Sequence, residues 1–219
     1  MKTKRNLNPN IKKRPAYTVR TIPYSAPNHP PITNKEKIPK IADIILPMQK
    51  DILIRHARQA DYPTIYELIE TAFKTAEHRD GTEQDFAVDL RAGTNYIPEL
   101  ELVAEIDSQL IGHIMLTKTY VVLPDGGRYD TLLLAPLSVL REYRNAGVGS
   151  ALVRAELRIA RTMGYRTVFL VGEPDYYRRF GFELSHLYGI SHEFLPAEYV
   201  QTVELVPGAL AGITGRIKM

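Results

Sequence analysis

A chain of 219 residues is long enough for one sizeable domain, and its composition is that of an ordinary globular protein. The absence of cysteine excludes disulfides, thiol nucleophiles and thiolate metal sites, and it fits a reducing, cytoplasmic compartment. No apolar run approaches the roughly 20 residues that a membrane-spanning helix needs, and the N-terminus lacks the apolar segment of a secretory signal.

Charge and proline content separate the first 50 residues from the rest of the chain. Residues 1–50 carry 11 Lys and Arg, 2 Asp and Glu, and 8 of the 15 prolines. We therefore predict a flexible basic arm ahead of a mildly acidic domain over residues 51–219. The arm could contact nucleic acid, a ribosome, a membrane surface or a protein, or be a solvated tail without a partner. Monomer and homodimer are both compatible with the sequence.

Strands and helices are first indicated at residue 52. Apolar runs predict strands over 52–57, 100–106 and 110–123, the last two joined by a short turn. Helical spacing of apolar residues predicts one helix after Asp61, which suits the N-cap position, and a second over 82–92. Long strands joined by tight turns predict antiparallel meanders in this part of an α/β domain.

The nearly continuous apolar run over 131–140 predicts a strand that is buried on both faces. Pro136 interrupts this run. Proline cannot donate a hydrogen bond to a neighbouring strand, so Pro136 predicts a bulge or a point where pairing stops.

A short loop with Arg144, Gly147 and Gly149 connects this strand to an amphipathic helix. The first N–H groups of a helix have no partner within it and carry partial positive charge, and glycines let a ligand approach the backbone. The junction therefore suits an anion such as a pyrophosphate. A P-loop would need a lysine after Gly149, and a dinucleotide fingerprint would need a small residue at Leu152. The remaining pattern is also compatible with a tight turn that binds nothing.

The rest of the chain predicts a central sheet covered by helices. Gly164 is a candidate C-terminal cap of the helix that follows the loop. A buried strand over 167–171, a short helix over 175–180 and strand-like pieces at 181–183 and 203–205 follow. The apolar face of the helix after the loop comprises Val148, Ala151, Leu152, Ala155, Ile159 and Met163.

Two motifs in this part of the chain resemble those of a known family. Residues 137–139 (LSV) with 144–152 (RNAGVGSAL) resemble motif A of the GNAT acyl-CoA N-acyltransferases. Residues 177–182 (YRRFGF) are similar to their C-terminal Tyr-x-x-x-Gly-Phe signature. Residues 172–177 (GEPDYY) and 204–210 (ELVPGAL) look like the YhbS-like branch of predicted N-acetyltransferases.

The resemblance covers about residues 52–217 and implies the GNAT fold. In that fold a mixed, mostly antiparallel central sheet splays at a bulged strand and is flanked by helices. The resemblance also implies acetyl-CoA as co-substrate, with its pantetheine arm paired to the splayed strand and its diphosphate on the loop amides. The implied cofactor-binding residues are Leu137, Ser138, Val139, Arg144, Asn145, Ala146, Gly147, Val148, Gly149 and Ser150.

The implied reaction is direct attack of an amine on the thioester. The N–H of Val139 is the candidate donor to the oxyanion, and Tyr177 is the candidate general acid for the departing sulfur. Ser138 lies beside the implied reaction centre, but no paired base is evident for a nucleophilic role. The acceptor stays open between a small amine, a protein lysine and a protein N-terminus.

The sequence does not identify a general base. His113, Glu105, Asp85 and Glu70 are candidates by residue type, and a chain of waters would need no dedicated residue. His113 lies in an alternating strand and is better explained as a satisfied sheet residue. No spacing of His, Asp and Glu suits a metal, so we predict no metal site. The rival hypothesis is an acyl-CoA-binding regulatory or interaction module that the basic arm tethers to RNA, a ribosome or a protein.

Overall fold

The structure is a computed structural model, and it describes residues 18–21, 51–75 and 81–219. Within these ranges ten strands form one sheet, with helices on both of its faces. The strands are β1 Thr18–Thr21, β2 Asp51–His56, β3 Tyr96–Ile106, β4 Gln109–Val122, β5 Arg128–Val139, β6 Thr167–Val171, β7 Glu183–Leu184, β8 Ile190–Ser191, β9 Val200–Glu204 and β10 Gly215–Ile217. The α-helices are α1 Tyr62–Phe73, α2 Glu83–Ala92, α3 Val148–Thr162 and α4 Pro174–Tyr177.

The strand order is β1-β2-β3-β4-β5-β6-β9-β7, and β10 pairs with both β4 and β8. Three of the strand pairs, β1 with β2, β5 with β6 and β8 with β10, are parallel, and the remaining pairs are antiparallel. The prediction of a mixed, mostly antiparallel sheet in an α/β fold is therefore confirmed.

The predicted arm contributes one strand to this sheet. Strand β1 pairs in parallel with β2 from Thr18, opposite Asp51, to Thr21, opposite Ile54. The other residues of the arm lie outside the described ranges, so a flexible arm ahead of a domain over 51–219 stays a prediction.

The two faces of the sheet are covered by different helices. On one face, Ile65 and Ile69 of α1 and Ala87 of α2 pack against Val103 of β3. On the other face, α3 packs so closely on β4 that a Cβ at Gly112 would lie 3.0 Å from Leu152. Side chains of a strand alternate between faces, so one layer of helices lies over each set of alternate residues.

Strand β5 carries a bulge, and there it separates from β6. Ile114 of β4 is opposite Leu137 and Leu116 is opposite Leu134, so β5 has one extra residue at the Ala135–Pro136 step. Strands β5 and β6 pair only at Leu132–Val168 and Leu133–Phe169. The prediction that the sheet splays beside Pro136 is confirmed.

Asp61 occupies the predicted N-cap position of α1 without capping the helix through its side chain. Asp61 precedes α1, but its carboxylate makes no cap hydrogen bond to the helix. It accepts the backbone N–H of Arg58 at 2.7 Å and the guanidinium of Arg55 at 2.7 and 3.0 Å. Arg55 thereby lowers the pKa of Asp61, and the carboxylate stabilises the turn before α1.

The predicted buried face of α3 needs two corrections. Met163 follows the last helical residue and is 42% exposed, whereas Glu156, which apolar spacing passes over, is fully buried. Gly164 has a φ of +91°, which fits its predicted place at the helix end.

Residues 204–210, one of the segments of the resemblance, form a turn that the Glu204 side chain holds. Its carboxylate accepts the N–H of Gly208 at 2.9 Å and the N–H of Leu210 at 2.7 Å. These contacts give Glu204 a structural role that is sufficient to explain a glutamate at this position.

Candidate active site

The free edge of β5 beyond its bulge forms one wall of a cleft. The N–H of Leu140 donates to Ile111 of β4 at 3.0 Å. Hydrogen-bonded pairs alternate along an antiparallel ladder, so Ser138 also bonds to β4, while the main-chain groups of Leu137 and Val139 face the other way. On that side β6 no longer pairs. The backbone of Leu137 and the N–H of Val139 are therefore open to a ligand, whereas the carbonyl of Val139 accepts a hydrogen bond from Arg144.

The start of α3 lies beside this edge and carries unpaired amides. The first hydrogen bond of the helix runs from the N–H of Ala151 to the carbonyl of Gly147 at 2.9 Å. Among the described residues, no group accepts a hydrogen bond from the amides of 145 to 150. Asn145 and Gly147, with φ of +58° and +88°, turn the loop into the helix. Donors and the positive end of the helix dipole thus coincide here.

Tyr176 of α4 closes the corner between the end of β5 and the start of α3. The sequence analysis did not identify this residue. A Cβ at Gly149 would lie 2.5 Å from the Tyr176 hydroxyl oxygen, so only glycine leaves the present room. The hydroxyl also lies near the Ser150 side chain, and the guanidinium of Arg179 lies 4.8 Å from the centre of the Tyr176 ring. Burial raises the pKa of Tyr176, so its phenol is neutral near pH 7.

Tyr177 faces a neighbouring cavity of about 710 Å³ whose lining includes Pro136, Val171 and Gly172. Its ring lies so close to β6 that a Cβ at Gly172 would be 2.5 Å from Cε2. Burial raises the pKa of Tyr177. The phenol is therefore protonated and positioned beside the splayed strands.

Arg144 joins the cleft to α1. Its Nε donates to the carbonyl of Val139 at 3.0 Å, and its Nη2 donates to the carbonyl of Ala72 at 2.5 Å. The Ala72 carbonyl belongs to the last turn of α1, where the helix dipole favours a cation. Arg144 thus holds the end of β5 against α1, and its predicted contact with a diphosphate stays a prediction.

A smaller cavity of about 220 Å³ brings the predicted residues of β5 and the loop together. Its lining includes Leu137, Ser138, Val139 and Arg144, together with Tyr176. The structure therefore brings four of the predicted residues together around one cavity, and the predicted roles of these residues stay a prediction.

Three of the four candidate bases lie away from these cavities. Glu105 pairs with Arg55 at 2.7 Å, Asp85 accepts from the Tyr66 hydroxyl at 2.8 Å, and Glu70 pairs with Lys74 at 3.1 Å. The fourth, His113, is fully buried opposite Ser138 in the β4–β5 ladder, and only one of its ring nitrogens has a partner among the described residues. The expectation of a satisfied sheet histidine is therefore only half correct.

Within residues 51–75 and 81–219, no group of three or more His, Asp or Glu side chains is placed to hold a metal ion. None of the helices in the described part of the chain is long and apolar enough to cross a membrane.

Comparison with known sequences gives one family. Residues 53–185 match the family model described as an acetyltransferase (GNAT) domain. The chain is 31% identical over 169 residues to the uncharacterized N-acetyltransferase YhbS of Escherichia coli K12, covering 76% of this chain and 95% of YhbS. It is 38% identical over 104 residues to the uncharacterized N-acetyltransferase YjhQ of the same strain, covering 46% of this chain and 55% of YjhQ. The match thus spans about half of YjhQ and nearly all of YhbS.

Solved structures agree with the sequence comparison. The crystal structure of YhbS from Escherichia coli in complex with CoA has a TM-score of 0.67 and 30% identity, covering 76% of this chain and 88% of that chain. A GNAT family acetyltransferase from Brucella melitensis in complex with acetyl-CoA has a TM-score of 0.63 and 29% identity, covering 77% of this chain and 95% of that chain.

Proposed function

Because the chain belongs to the acetyltransferase (GNAT) family, we propose that it transfers the acetyl group of acetyl-CoA to an amine by direct attack on the thioester. One observation carries the proposal: the open edge of β5 leads directly to the unpaired amides at the start of α3. The similar structures of YhbS with CoA and of the Brucella melitensis protein with acetyl-CoA support this choice of co-substrate.

In this proposal acetyl-CoA lies along β5 as an added strand. The amide and carbonyl groups of its pantetheine arm lie alongside the outward-facing backbone of Leu137 and the N–H of Val139, because the carbonyl of Val139 already accepts from Arg144. Its diphosphate accepts hydrogen bonds from the amides of Asn145 to Ser150, where the helix dipole favours negative charge. The hydroxyls of Ser150 and Tyr176 border the same corner.

The chemistry follows from the two groups at the thioester end. A neutral amine attacks the carbonyl carbon, and the N–H of Val139 donates to the oxyanion that develops. The carbon–sulfur bond then breaks, and Tyr177 gives its proton to the departing thiolate. Burial raises the pKa of Tyr177, so the phenol begins the reaction protonated. A cytoplasmic place of action is part of the same proposal.

The test is thiol release from acetyl-CoA across a panel of small amines, lysine peptides and peptide N-termini. Tyr177→Phe should lower kcat by about 10²-fold or more, because the sulfur then leaves without its acid. Its affinity for CoA and its melting temperature should match those of the wild type. Tyr165→Phe is the matched control, since Tyr165 is a half-buried tyrosine near the other end of α3.

Tight CoA binding without thiol release from any acceptor would contradict transfer. That outcome would favour the binding module tethered by the basic arm. In that case binding to RNA should fall steeply with salt and vanish when residues 1–50 are deleted.

A further inference from the structure

The two cavities of the site adjoin, and the larger one extends well beyond β5. Both are lined by Phe73, Leu137, Arg144 and Tyr176. The larger cavity also reaches the end of β6, the start of α2 and the segment before β9. Of the two, only the larger is lined by Tyr177, so in the proposed reaction the thioester lies there. The space between Tyr177 and α2 is then left for the acceptor.

Apolar side chains from five parts of the fold form most of the wall of this larger cavity. They include Phe73 of α1, Phe86 of α2, Pro136 of β5, Val171 of β6 and Tyr199 ahead of β9. Concave sites of roughly 300–1,000 Å³ with mainly apolar walls are typical of small-molecule binding, and this cavity has about 710 Å³. The wall therefore favours a small molecule with an apolar body.

Phe86 is a side chain that the core of the protein uses little. Helix α2 packs on the sheet through Ala87, which is buried, whereas Phe86 is 42% exposed. An apolar ligand that covers this ring removes further apolar surface from water, which favours binding. Phe86 can therefore contribute more to a bound ligand than it contributes to the core.

The larger cavity also carries negative charge. Its charged lining residues, among those described, are Glu83, Glu173 and Arg144. Glu83 accepts the N–H of Gly81 at 3.2 Å, which holds its carboxylate at the start of α2, and Phe86 lies one turn further along the same face of the helix. The guanidinium of Arg144 donates to two backbone carbonyls. Two carboxylates against one guanidinium favour a cationic ligand.

We propose that the acceptor is a small primary amine whose nitrogen is attached to an apolar chain or ring, bound in the larger cavity; this substrate class rests on the proposed acetyl transfer. Its apolar body packs against Phe86, Val171 and Tyr199, and Glu83 and Glu173 attract its ammonium form. The ammonium ion gives one proton to water, and the neutral nitrogen then attacks the thioester as described above. Phe86 and the two carboxylates are thus specificity-determining residues for the acceptor.

Charge and apolar surface together favour this class over two others. An acyl chain longer than acetyl would suit the apolar wall, but it carries no positive charge for Glu83 and Glu173 to attract. A polyamine would match the carboxylates, but it would place further charged nitrogens against an apolar wall, which costs free energy. An amine with one charge and one apolar body matches both features.

The first experiment measures thiol release by the wild-type protein from acetyl-CoA with n-propylamine and with n-hexylamine. Each buried CH₂ group favours binding about fourfold, so the three added methylenes should raise kcat/KM by roughly 50-fold. 2-Phenylethylamine should resemble n-hexylamine, and spermidine and a lysine peptide should be poor acceptors. A kcat/KM for n-hexylamine no higher than that for n-propylamine, or below that for the lysine peptide, would overturn the proposal.

Phe86→Ala tests the apolar wall, and Val88→Ala is its matched control. Both residues belong to α2 and are similarly exposed, at 42% and 43%, but Val88 is not part of the cavity lining. Phe86→Ala should raise the KM for n-hexylamine by about 10-fold and the KM for n-propylamine much less. Its affinity for CoA and its melting temperature should match those of Val88→Ala. Equal KM values for n-hexylamine in the two variants would contradict the assigned wall.

A double variant tests the charge. Glu83→Gln combined with Glu173→Gln should raise the KM for n-hexylamine by about fivefold at low salt, and the difference from the wild type should shrink as salt is added. Glu67→Gln combined with Asp89→Asn changes the net charge equally at exposed positions outside the lining, and it should keep the wild-type KM. An equal rise of KM in this control would remove the carboxylates of the cavity from the proposal.

The last comparison separates the acceptor class from an acyl site and from the proposed function. With n-propylamine as acceptor, hexanoyl-CoA should give a kcat/KM no higher than acetyl-CoA does; a rise that Phe86→Ala abolishes would assign the wall to the acyl chain and overturn the proposal. If a lysine peptide or a peptide N-terminus releases thiol but no apolar amine does, acetyl transfer stands and the acceptor class is wrong. If no acceptor of any class releases thiol, acetyl transfer itself is wrong.

Discussion

Two parts of helix α3 leave polar groups unpaired, with opposite consequences. In its first turn, the amides of Val148, Gly149 and Ser150 have no acceptor among the described residues, and Gly149 lies beside Val139 of β5 and Tyr176. Two turns later, both carboxylate oxygens of Glu156 lie in the core without a donor among the described residues. The first set can be satisfied by a ligand, and the second cannot be reached by one. An unpaired polar group can bind a ligand only where the fold leaves that group accessible.

Comparison with Glu101 shows how partners decide the state of a buried carboxylate. Glu101 and Glu156 are both fully buried. The hydrogen bonds from His113 and Arg91 keep Glu101 ionised, whereas burial and the nearby charge of Glu101 raise the pKa of Glu156 well above 4.5. The buried side chain of Glu156 therefore lowers the stability of the fold and has no part in binding or catalysis.

The largest expected effect tests the accessible end of α3. Gly149→Val would place a side chain against the Tyr176 hydroxyl and fill the corner at the start of the helix. We expect the affinity for CoA to fall by about 100-fold, or roughly 2.7 kcal/mol, in isothermal titration calorimetry. The melting temperature should change little, because the Tyr176 hydroxyl is the movable end of a side chain.

Arg161→Val controls for this change, since it puts the same β-branched residue on an exposed position of α3. It should bind CoA as the wild type does. An unchanged affinity of Gly149→Val would contradict the assignment of the corner.

The smaller expected effect tests the sealed part of α3. Glu156→Gln should raise the melting temperature at neutral pH without changing the affinity for CoA. The pKa of Glu156 is higher in the folded than in the unfolded chain, so wild-type folding takes up a proton above pH 4.5. The advantage of the variant should therefore grow as pH rises from 4.5, by up to about 1.4 kcal/mol per pH unit.

Glu67→Gln on the exposed face of α1 is the control for this pH series, and its stability should follow the wild type at every pH. A constant difference between Glu156→Gln and the wild type from pH 4 to 8 would contradict a buried, protonated carboxyl.

Local signals in the sequence predicted the scaffold of the site. Pro136 lacks the N–H of a ladder and predicted the bulge at which β5 and β6 separate. Gly147 and Gly149 predicted the turn and the close packing at the start of α3, because both features depend on the backbone of these few residues.

Contacts between distant residues could not be predicted in the same way. Arg144 bonds to Ala72, which is 72 residues away, and only the packing of α1 against β5 brings them together. The pair of Glu101 and His113 depends on the β3–β4 register, which includes a shift between residues 104 and 105. Glu156 lies on the buried face of α3, but a pattern of apolar residues does not include a glutamate and so did not predict its burial.

The most direct test of the whole account is a crystal structure of the full chain with coenzyme A. We predict the diphosphate within hydrogen-bond distance of the amides of Asn145 to Ser150 and the pantetheine arm alongside Leu137 and Val139. A complex with the diphosphate elsewhere, or with the Tyr176 ring filling this corner while coenzyme A binds at another surface, would contradict the account.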